Sequence, residues 1–364
     1  MFRLTCFCAI SHVCLSILFS QENASHKNYF YNGKDFGSEA MFNPLSSIIN
    51  SGFDILQSAT HSRNLSTIKF GTGAKNLWEN LKDPIPQINK FGWERFISQE
   101  IFPLSFTIDK AQYFPNYTLH LIGGGMEYRA MNEWYEYHHV PFAPLFTALS
   151  FATAHFVNEA VENDAYVGPN VDPIADMYVF DLGGALLFSS DAVCEFFSKQ
   201  VQLTDWSGQV SYNPRFNTIE NNGQNFVMKI PIPYLDRTKI FYYFGDSGLL
   251  GLSFLQKDNT CFSAGAGLVA KALREVDNRN GARTISLELG WIAGLFYDKD
   301  NSLLTSLIVS DRINEKVKLN IYPGVFHVGE ISPGMFASIG NGNQFIAGIT
   351  VRYSPVGIAY RNSE

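Results

Sequence analysis

The chain has few charged residues and few cysteines beyond its first twenty positions. Charged residues make up 17% of the 364 residues, below the share of about 25% in typical soluble domains. The net charge is −7, from 27 basic and 34 acidic residues, so no basic field is present to attract nucleic acid. Outside the first twenty positions only Cys194 and Cys261 remain. Neither a CxxC pair nor a zinc-binding spacing occurs, and one disulfide is an open alternative.

The sequence also lacks an apolar run of the roughly 20 residues that a membrane-spanning helix needs. The longest run near the start, Leu4 to Phe19, is shorter and is preceded by Arg3. A basic residue, a short apolar core and a small residue at Ser20 are typical of a secretory signal peptide. We therefore predict a signal peptide over residues 1–20, cleaved between Ser20 and Gln21, with a short membrane anchor as the alternative.

Aromatic residues and glycine are abundant. The sequence contains 31 Phe, 17 Tyr and 29 Gly, and aromatic residues reach 15%. Membrane barrels show such values, because lipid-facing positions avoid charge and aromatic girdles form at the two interfaces. A soluble enzyme can share this composition, so composition alone does not decide the class.

The clearest pattern is the alternation of side-chain types in residues 201–364. From Thr284 to Phe296, every second residue is apolar and the residues between them are mixed. Successive strand side chains point to opposite faces, so one face of this strand is apolar. Similar segments occur at 226–232, 239–244, 249–255, 262–268, 302–309, 317–322 and 345–353. We predict about eight to ten antiparallel strands that form a transmembrane β-barrel, with a soluble sandwich or barrel as the alternative.

The first half of the chain reads mainly as helix. Residues 21–112 combine a polar leader with amphipathic helices near 43–56, 71–81 and 93–102. Residues 113–200 combine a strand at 116–129, interrupted by Gly123 to Gly125, with two apolar helices. The first runs from Pro144 to about Val161, and the second has Asp172 as N-cap and continues to about Phe197. We predict that both helices pack in or on the barrel.

Three central motifs resemble an uncharacterised family of outer-membrane β-barrel proteins of Gram-negative bacteria. They are Ala154–Glu159 (AHFVNE), Asp172–Asp176 (DPIAD) and Asp181–Gly184 (DLGG). The cleavage region at Phe19 to Gln21 is similar to signals common in Bacteroidetes. The resemblance implies an outer-membrane location, contact with outer-membrane lipid and insertion by the barrel-assembly machinery, and it carries over no activity. The chain departs from the usual barrel ending, because the aromatic Tyr360 is followed by four polar residues.

A group of titratable residues in the two apolar helices supplies the candidate chemistry. His155, Glu159 and Glu162 follow at i, i+4 and i+7, so they share one helix face. Asp176 and Asp181 lie on the next helix, close to each other in sequence. An imidazole with several carboxylates can act as a general acid and base, with His155, Glu159, Asp176 and Asp181 as candidates, or bind a divalent metal through His155, Glu159 and Glu162. The sequence favours a structural polar network over both of these roles, since the spacing is not HExxH.

These observations lead to one predicted function and two alternatives. We predict a non-enzymatic envelope protein of the outer membrane, mainly β with α, whose lumen is plugged by helices and which needs no cofactor. The first alternative is a membrane-embedded enzyme that acts on lipid or glycolipid through the His/Glu/Asp group. The second alternative is a passive channel or transporter.

Overall fold

A computed structural model describes residues 27–57, 62–103, 114–163, 170–277 and 283–363. The predicted signal peptide at 1–20 lies outside these residues. The α-helices are α1 (Pro44–Gly52), α2 (Phe70–Leu81), α3 (Pro84–Phe91), α4 (Trp93–Phe96), α5 (Gly125–Tyr137), α6 (Ala143–Glu162), α7 (Asp172–Ala175), α8 (Leu182–Phe188) and α9 (Asp191–Glu195). Helical turns of the wider π type are Ile97–Ile101, Phe114–Gly124, Asp176–Asp181 and Phe196–Gln200.

Local sequence signals place the helix starts. Asn43 caps α1 in a capping box with Ser46, and Pro44 occupies the first turn, where a missing N–H costs nothing. The predicted amphipathic helices are therefore confirmed, as is the apolar helix α6. The pair Asp83-Pro84, which ends α2, also begins the additional helix α3.

The second predicted apolar helix is broken. It begins at Asp172, one position inside the N-cap Val171, and it bends by 84° between Phe188 and Asp191. In the described residues no single helix meets the length and hydropathy expected of a membrane span. The bent pair Asp172–Phe188 and Asp191–Gln200 reaches that length and hydropathy only when the two parts are taken together.

The second half of the chain is a 13-stranded, mostly antiparallel sheet. Its strands are β1 (Thr204–Asp205), β2 (Ser211–Asn213), β3 (Thr218–Glu220), β4 (Asn225–Pro231), β5 (Thr238–Gly245), β6 (Ser247–Leu255), β7 (Thr260–Asp277), β8 (Arg283–Lys299), β9 (Ser302–Ser310), β10 (Val317–Ile321), β11 (Pro333–Ile339), β12 (Phe345–Val351) and β13 (Gly357–Arg361). Strands β4 to β13 pair in chain order, β1 pairs with β4, and β2 pairs in parallel with β13. The predicted antiparallel, strand-rich region is therefore confirmed.

Side chains alternate between two faces along these strands. In β8, Trp291 and Leu295 are 54% and 44% exposed, whereas Ile292 and Phe296 are 5% and 1% exposed. The register continues this alternation across the sheet, since Leu252, Leu295 and Leu307 fall in one row of paired outward positions. We call the buried side the inner face and the exposed apolar side the outer face.

Chain connectivity requires the sheet to curl. In the strand order, ten strands separate β1 from β2, and a flat sheet would place these two strands roughly 50 Å apart. Only the five residues Trp206–Val210 join them along the chain, and such a segment spans at most about 20 Å. The sheet must therefore bend until its two ends approach each other. Among the described residues, strand pairing does not join β1 to β3, which are the two ends of the strand order.

The segment from β1 to β3 also contacts the inner face of the sheet, through the residues between β1 and β2. Trp206 packs within 6 Å of the ring centroids of Phe241 and Phe296. Gln209 donates to the backbone carbonyls of β10 and β11 through Nε2, and it accepts from Thr350 of β12 through Oε1. A cavity of about 20 Å³ remains beside this segment, which is room for about one water molecule.

Helices α5 and α8 pack on the outer face of the sheet. Phe226 and Phe244 point outward from β4 and β5, opposite to the inward Val227 and Tyr243. They are fully buried against Met126 of α5 and Phe188 of α8. The second predicted apolar helix therefore packs on the outer face of the sheet. The helical part also reaches the inner face, because Met41 of the helical turn Glu39–Met41 belongs to the buried cluster of that face. A lumen plugged by helices stays a prediction.

The prediction of a strand at 116–129 is wrong. These residues form the π turns Phe114–Gly124 and the first part of α5. Glycine lowers helix propensity by about 1 kcal/mol per residue, so three consecutive glycines argue locally against a helix. Close helix packing reverses that preference, because Gly125 lies against Gly184 of α8 at a distance that leaves no room for a Cβ. Cys194 and Cys261 are buried, and no disulfide joins them.

Candidate functional site

Five of the titratable side chains in the helical half converge. His120 comes from the π turns Phe114–Gly124, His155 and Glu159 come from α6, and Asp176 and Asp181 begin and end the π turns that precede α8. His155, Glu159, Asp176 and Asp181 are all 5% exposed or less. The candidates that the sequence proposed for catalysis are therefore brought together. Wider π turns are rare and often accompany functional sites.

Asp181 binds both imidazoles through their Nδ1 atoms. His120 Nδ1 lies 2.9 Å from Asp181 Oδ1, and His155 Nδ1 lies 2.9 Å from Asp181 Oδ2. His120 Nδ1–H donates to Asp181 Oδ1, since a carboxylate accepts hydrogen bonds. The His155 contact is an ion pair by distance, and both Nε2 atoms face away from Asp181. One carboxylate thus fixes the orientation of two rings whose centroids are 5.6 Å apart.

The free nitrogen of His120 faces two carboxylates. His120 Nε2 lies 3.7 Å from Asp176 Oδ2, and ligand atoms of His120, Glu159 and Asp176 all lie within 4.8 Å of one another. Asp176 Oδ1 is buried and has no hydrogen-bond partner in the part of the chain that the structure describes. His120, Glu159 and Asp176 therefore form one set of donors that can hold a cation.

The free nitrogen of His155 faces a different carboxyl group. Among the described residues, His155 Nε2 is buried without a hydrogen-bond partner, and it lies 4.0 Å from Glu127 Oε2 of α5. Gln224 donates to the same Glu127 oxygen at 2.7 Å. His155, oriented by Asp181 and adjacent to Glu127, has the arrangement of a general acid and base pair.

Burial and neighbouring charges separate the pKa values of these groups. Burial lowers the pKa of His120, but the charge and hydrogen bond of Asp181 outweigh it and raise the pKa to about 9. Burial raises the pKa of Asp181, but the charges of His155 and His120 bring it down to about 2. For Glu159 and Asp176, burial and then the neighbouring carboxylates raise the pKa well above its usual value. Burial, followed by the charge of Asp205, raises the pKa of Glu127 to about 8.

Not every sequence candidate joins the site. Glu162 shares the α6 face but contributes no ligand atom to either donor set, and burial raises its pKa to about 7. The set His155, Glu159 and Glu162 is therefore replaced by two described sets that share His120. One is His120, His155 and Asp181, and the other is His120, Glu159 and Asp176.

Sequence reasoning missed His120 and Glu127. Both lie in the stretch that was interpreted as a strand, where alternate residues point to opposite faces and no helix face forms. The recurrence of Tyr117, Leu121 and Tyr128 at intervals of four and seven is the helical signal that would have placed His120 beside the other candidates.

Close glycine packing holds the His120 segment in place. A Cβ added to Gly184 would lie 2.6 Å from the carbonyl oxygen of Leu121, next to His120. We expect Gly184→Ala to lower the free energy of unfolding by about 1–3 kcal/mol, as overpacking does. Gly71→Ala is the matched control, because nothing lies within 4 Å of its added Cβ. Denaturant unfolding of the two variants tests this, and equal stabilities would contradict the packing role.

Comparison with known proteins finds no counterpart. No family model matches the chain, and neither a curated protein nor a solved structure matches it.

Proposed function

We propose that the protein is an integral outer-membrane protein whose curled sheet is a transmembrane β-barrel. The supporting observation is the outer face, where large apolar side chains are exposed on strand after strand. Exposed residues of this face include Leu250, Leu252, Phe254, Phe262, Leu268, Trp291, Leu295, Leu307, Leu319, Ile349 and Ile358. A soluble monomer rarely exposes a contiguous apolar patch above several hundred Å². Acyl chains solvate such a face without any protein cover.

The dimensions of the outer face suit a bilayer. Tyr297 lies six positions after Trp291, which is about 20 Å along a strand. The apolar band of outer-membrane barrels is about 25 Å tall. The aromatic residues Phe254, Phe262 and Tyr297 pair across three neighbouring strands. Charged residues follow at the adjoining turn, with Lys299 and Asp300 next to Tyr297. Such an aromatic border is typical of a membrane–water interface.

The filled interior supports a structural envelope protein rather than a channel. The inner face buries Trp206, Phe241, Phe296 and Tyr322, and the β1–β3 segment crosses it. An ion or solute path would need a continuous polar opening through these groups. The partners in this proposal are outer-membrane lipid and, during insertion, the barrel-assembly machinery.

Arginine substitution tests the lipid contact of the outer face. We expect Leu295→Arg to destabilise the protein in lipid vesicles by about 2–4 kcal/mol, the cost of a cation near the bilayer midplane. Leu235→Arg changes an equally exposed leucine, 52% against 44%, in the β4–β5 connection, and we expect a change within about 0.5 kcal/mol. Urea unfolding in vesicles measures both. A small and equal effect at the two positions would reject the membrane assignment.

A second candidate is a membrane-embedded enzyme that acts on lipid or glycolipid. It is favoured by the convergence of His155, Asp181 and Glu127 in a buried site, where no lysine or arginine of the described residues lies within ion-pair distance of His155 or its two carboxylates. Mass spectrometry of phospholipids and glycolipids incubated with the protein in detergent tests this candidate. Product formation by the wild type that is lost in His155→Gln would support it. Unchanged lipids would leave the structural proposal as the better account.

A further inference from the structure

The ring of His120 is held as a metal ligand is held. Its Nδ1–H donates to Asp181 at 2.9 Å, and metal-binding histidines almost always donate their other N–H to a carboxylate or carbonyl. This leaves His120 Nε2 directed at Asp176 Oδ2, 3.7 Å away. A cation bound at about 2.0–2.2 Å by each of two ligand atoms keeps those atoms about 3.4 Å apart in tetrahedral geometry. The observed separation is close to that value.

Two buried carboxyl groups with few polar partners are the second observation. Asp176 and Glu159 are 4% and 2% exposed, and in the described part of the chain the one ion pair of Asp176 is with His120, while Glu159 has none. Among the same residues, Asp176 Oδ1 has no hydrogen-bond partner. Glu159 Oε2 receives a single long hydrogen bond of 3.4 Å from Asn163. Unpaired buried carboxylates are costly, and ordinarily such charges are paired or coordinate a metal.

The surroundings of the two carboxylates add acidic groups rather than basic ones. Glu162 follows Glu159 on α6, and Asp172 precedes Asp176 at the start of α7. Asp172 interacts with Glu100, which is itself 7% exposed. These acids therefore add negative charge around the space between Asp176, Glu159 and His120.

We propose that His120 Nε2, Glu159 and Asp176 bind one divalent transition-metal ion, with Asp181 as the positioning residue for His120. One imidazole nitrogen with two carboxylates suits zinc, iron(II) or manganese(II) better than calcium, which prefers six to eight oxygen ligands. Three protein ligands leave coordination positions for water, as in catalytic rather than structural sites. The site lies in the helical half, and its ligands come from that half alone, so the proposal does not rest on the proposed membrane insertion of the sheet.

Metal titration of the full-length protein in detergent tests the proposal. After chelator treatment and removal of the chelator, we expect the wild type to take up one Co²⁺ or Zn²⁺ per chain, measured by calorimetry and elemental analysis. Equal concentrations of Ca²⁺ or Mg²⁺ should not displace the bound ion. The bound Co²⁺ should give a visible absorption spectrum with imidazole coordination. Absence of stoichiometric binding in the wild type would overturn the proposal.

Variants separate this site from adventitious binding. We expect Glu159→Gln and Asp176→Asn to lower the affinity at least 100-fold, and Asp181→Asn to lower it 10- to 100-fold while one ion still binds at saturation. His327→Ala, which removes an exposed histidine far from the helices in the chain, should bind metal as the wild type does.

Circular dichroism checks that each variant is folded. If one variant fails to fold, the other ligand variant and the thermal stabilisation of the wild type by Zn²⁺ still decide. Wild-type affinity in both ligand variants, or loss of binding in His327→Ala, would refute the assignment.

Discussion

Replacing Lys229 with methionine is expected to lower the free energy of unfolding by about 3–5 kcal/mol, because it leaves a buried carboxylate without its cation. Lys229 of β4 lies 2.6 Å from Asp298 of β8, and neither side chain is exposed. The ammonium group also lies 5.0 Å from the Trp206 ring and contacts Asn301 at 3.3 Å. The pair therefore joins β4 and β8, which are not neighbours in the sheet, and it also contacts Trp206 between β1 and β2. Urea unfolding of the protein in detergent micelles measures the loss.

Two further variants show whether the loss comes from the unpaired charge. The double variant Lys229→Met with Asp298→Leu replaces the pair by apolar groups, which is often neutral, so we expect it to regain most of the lost stability. Lys271→Met removes a partly exposed lysine that pairs with Asp311 at 3.0 Å, and we expect little change, because surface ion pairs contribute little. A double variant no more stable than Lys229→Met would contradict the assignment of the loss to an unpaired Asp298 carboxylate.

The second large effect is expected at Asp181. Asp181→Asn removes the negative charge that both His120 and His155 contact at 2.9 Å. Hydrogen bonds to charged groups are worth about 1.5–3 kcal/mol each, and relief of repulsion with Asp176 offsets part of the loss. We expect a net destabilisation of about 2–4 kcal/mol near pH 5, measured by urea unfolding of the metal-free protein.

The pH dependence of this loss has a definite sign. The pKa of His120 is raised to about 9, so its stabilisation is complete below its ordinary value of 6.5 and is lost as the pH rises through 9. The pKa of Asp181 is lowered to about 2, so its stabilisation is present above 3.8 and is lost as the pH falls through 2. The difference between the wild type and Asp181→Asn should therefore be largest between pH 3.8 and 6.5 and smaller at pH 9.

A matched control separates this coupling from a general charge effect. Asp191→Asn changes a carboxylate that contacts Arg129 at 3.0 Å and is 46% exposed. We expect a small loss with no decline between pH 6.5 and 9. The electrostatic account of Asp181 would fail if Asp181→Asn cost the same at pH 5 and pH 9.

The sheet and part of the site were predictable because their signals are local. The period-two pattern around Trp291 and Leu295 needs no knowledge of distant residues, and the structure confirms it. The i, i+4 spacing of His155 and Glu159 likewise predicts a shared helix face. Strand β11 was missed because Pro333 and Gly334 open it, and both residues are unfavourable in strand interiors.

The remaining features depend on contacts between distant parts of the chain. His120 reaches the site because Gly125 and Gly184 pack closely, and no single-segment propensity contains that contact. The position of Gln209 across β10, β11 and β12 is set by two backbone carbonyls and one hydroxyl that lie more than 100 residues away in sequence. The sequence therefore points to the apolar helices as the elements inside the sheet. It gives no signal that the irregular segment around Gln209 contacts the inner face.

The parallel pairing of β2 with β13 has a consequence for assembly. Ser211 pairs opposite Gly357, and ten strands' worth of chain must be synthesised between the two. This contact therefore cannot form until β13 has been synthesised, and the entropy of closing so long a loop opposes it until the intervening hairpins have formed. Deletion of β13 would accordingly remove the pairing partner of β2, although every residue of the β1–β3 segment would still be present.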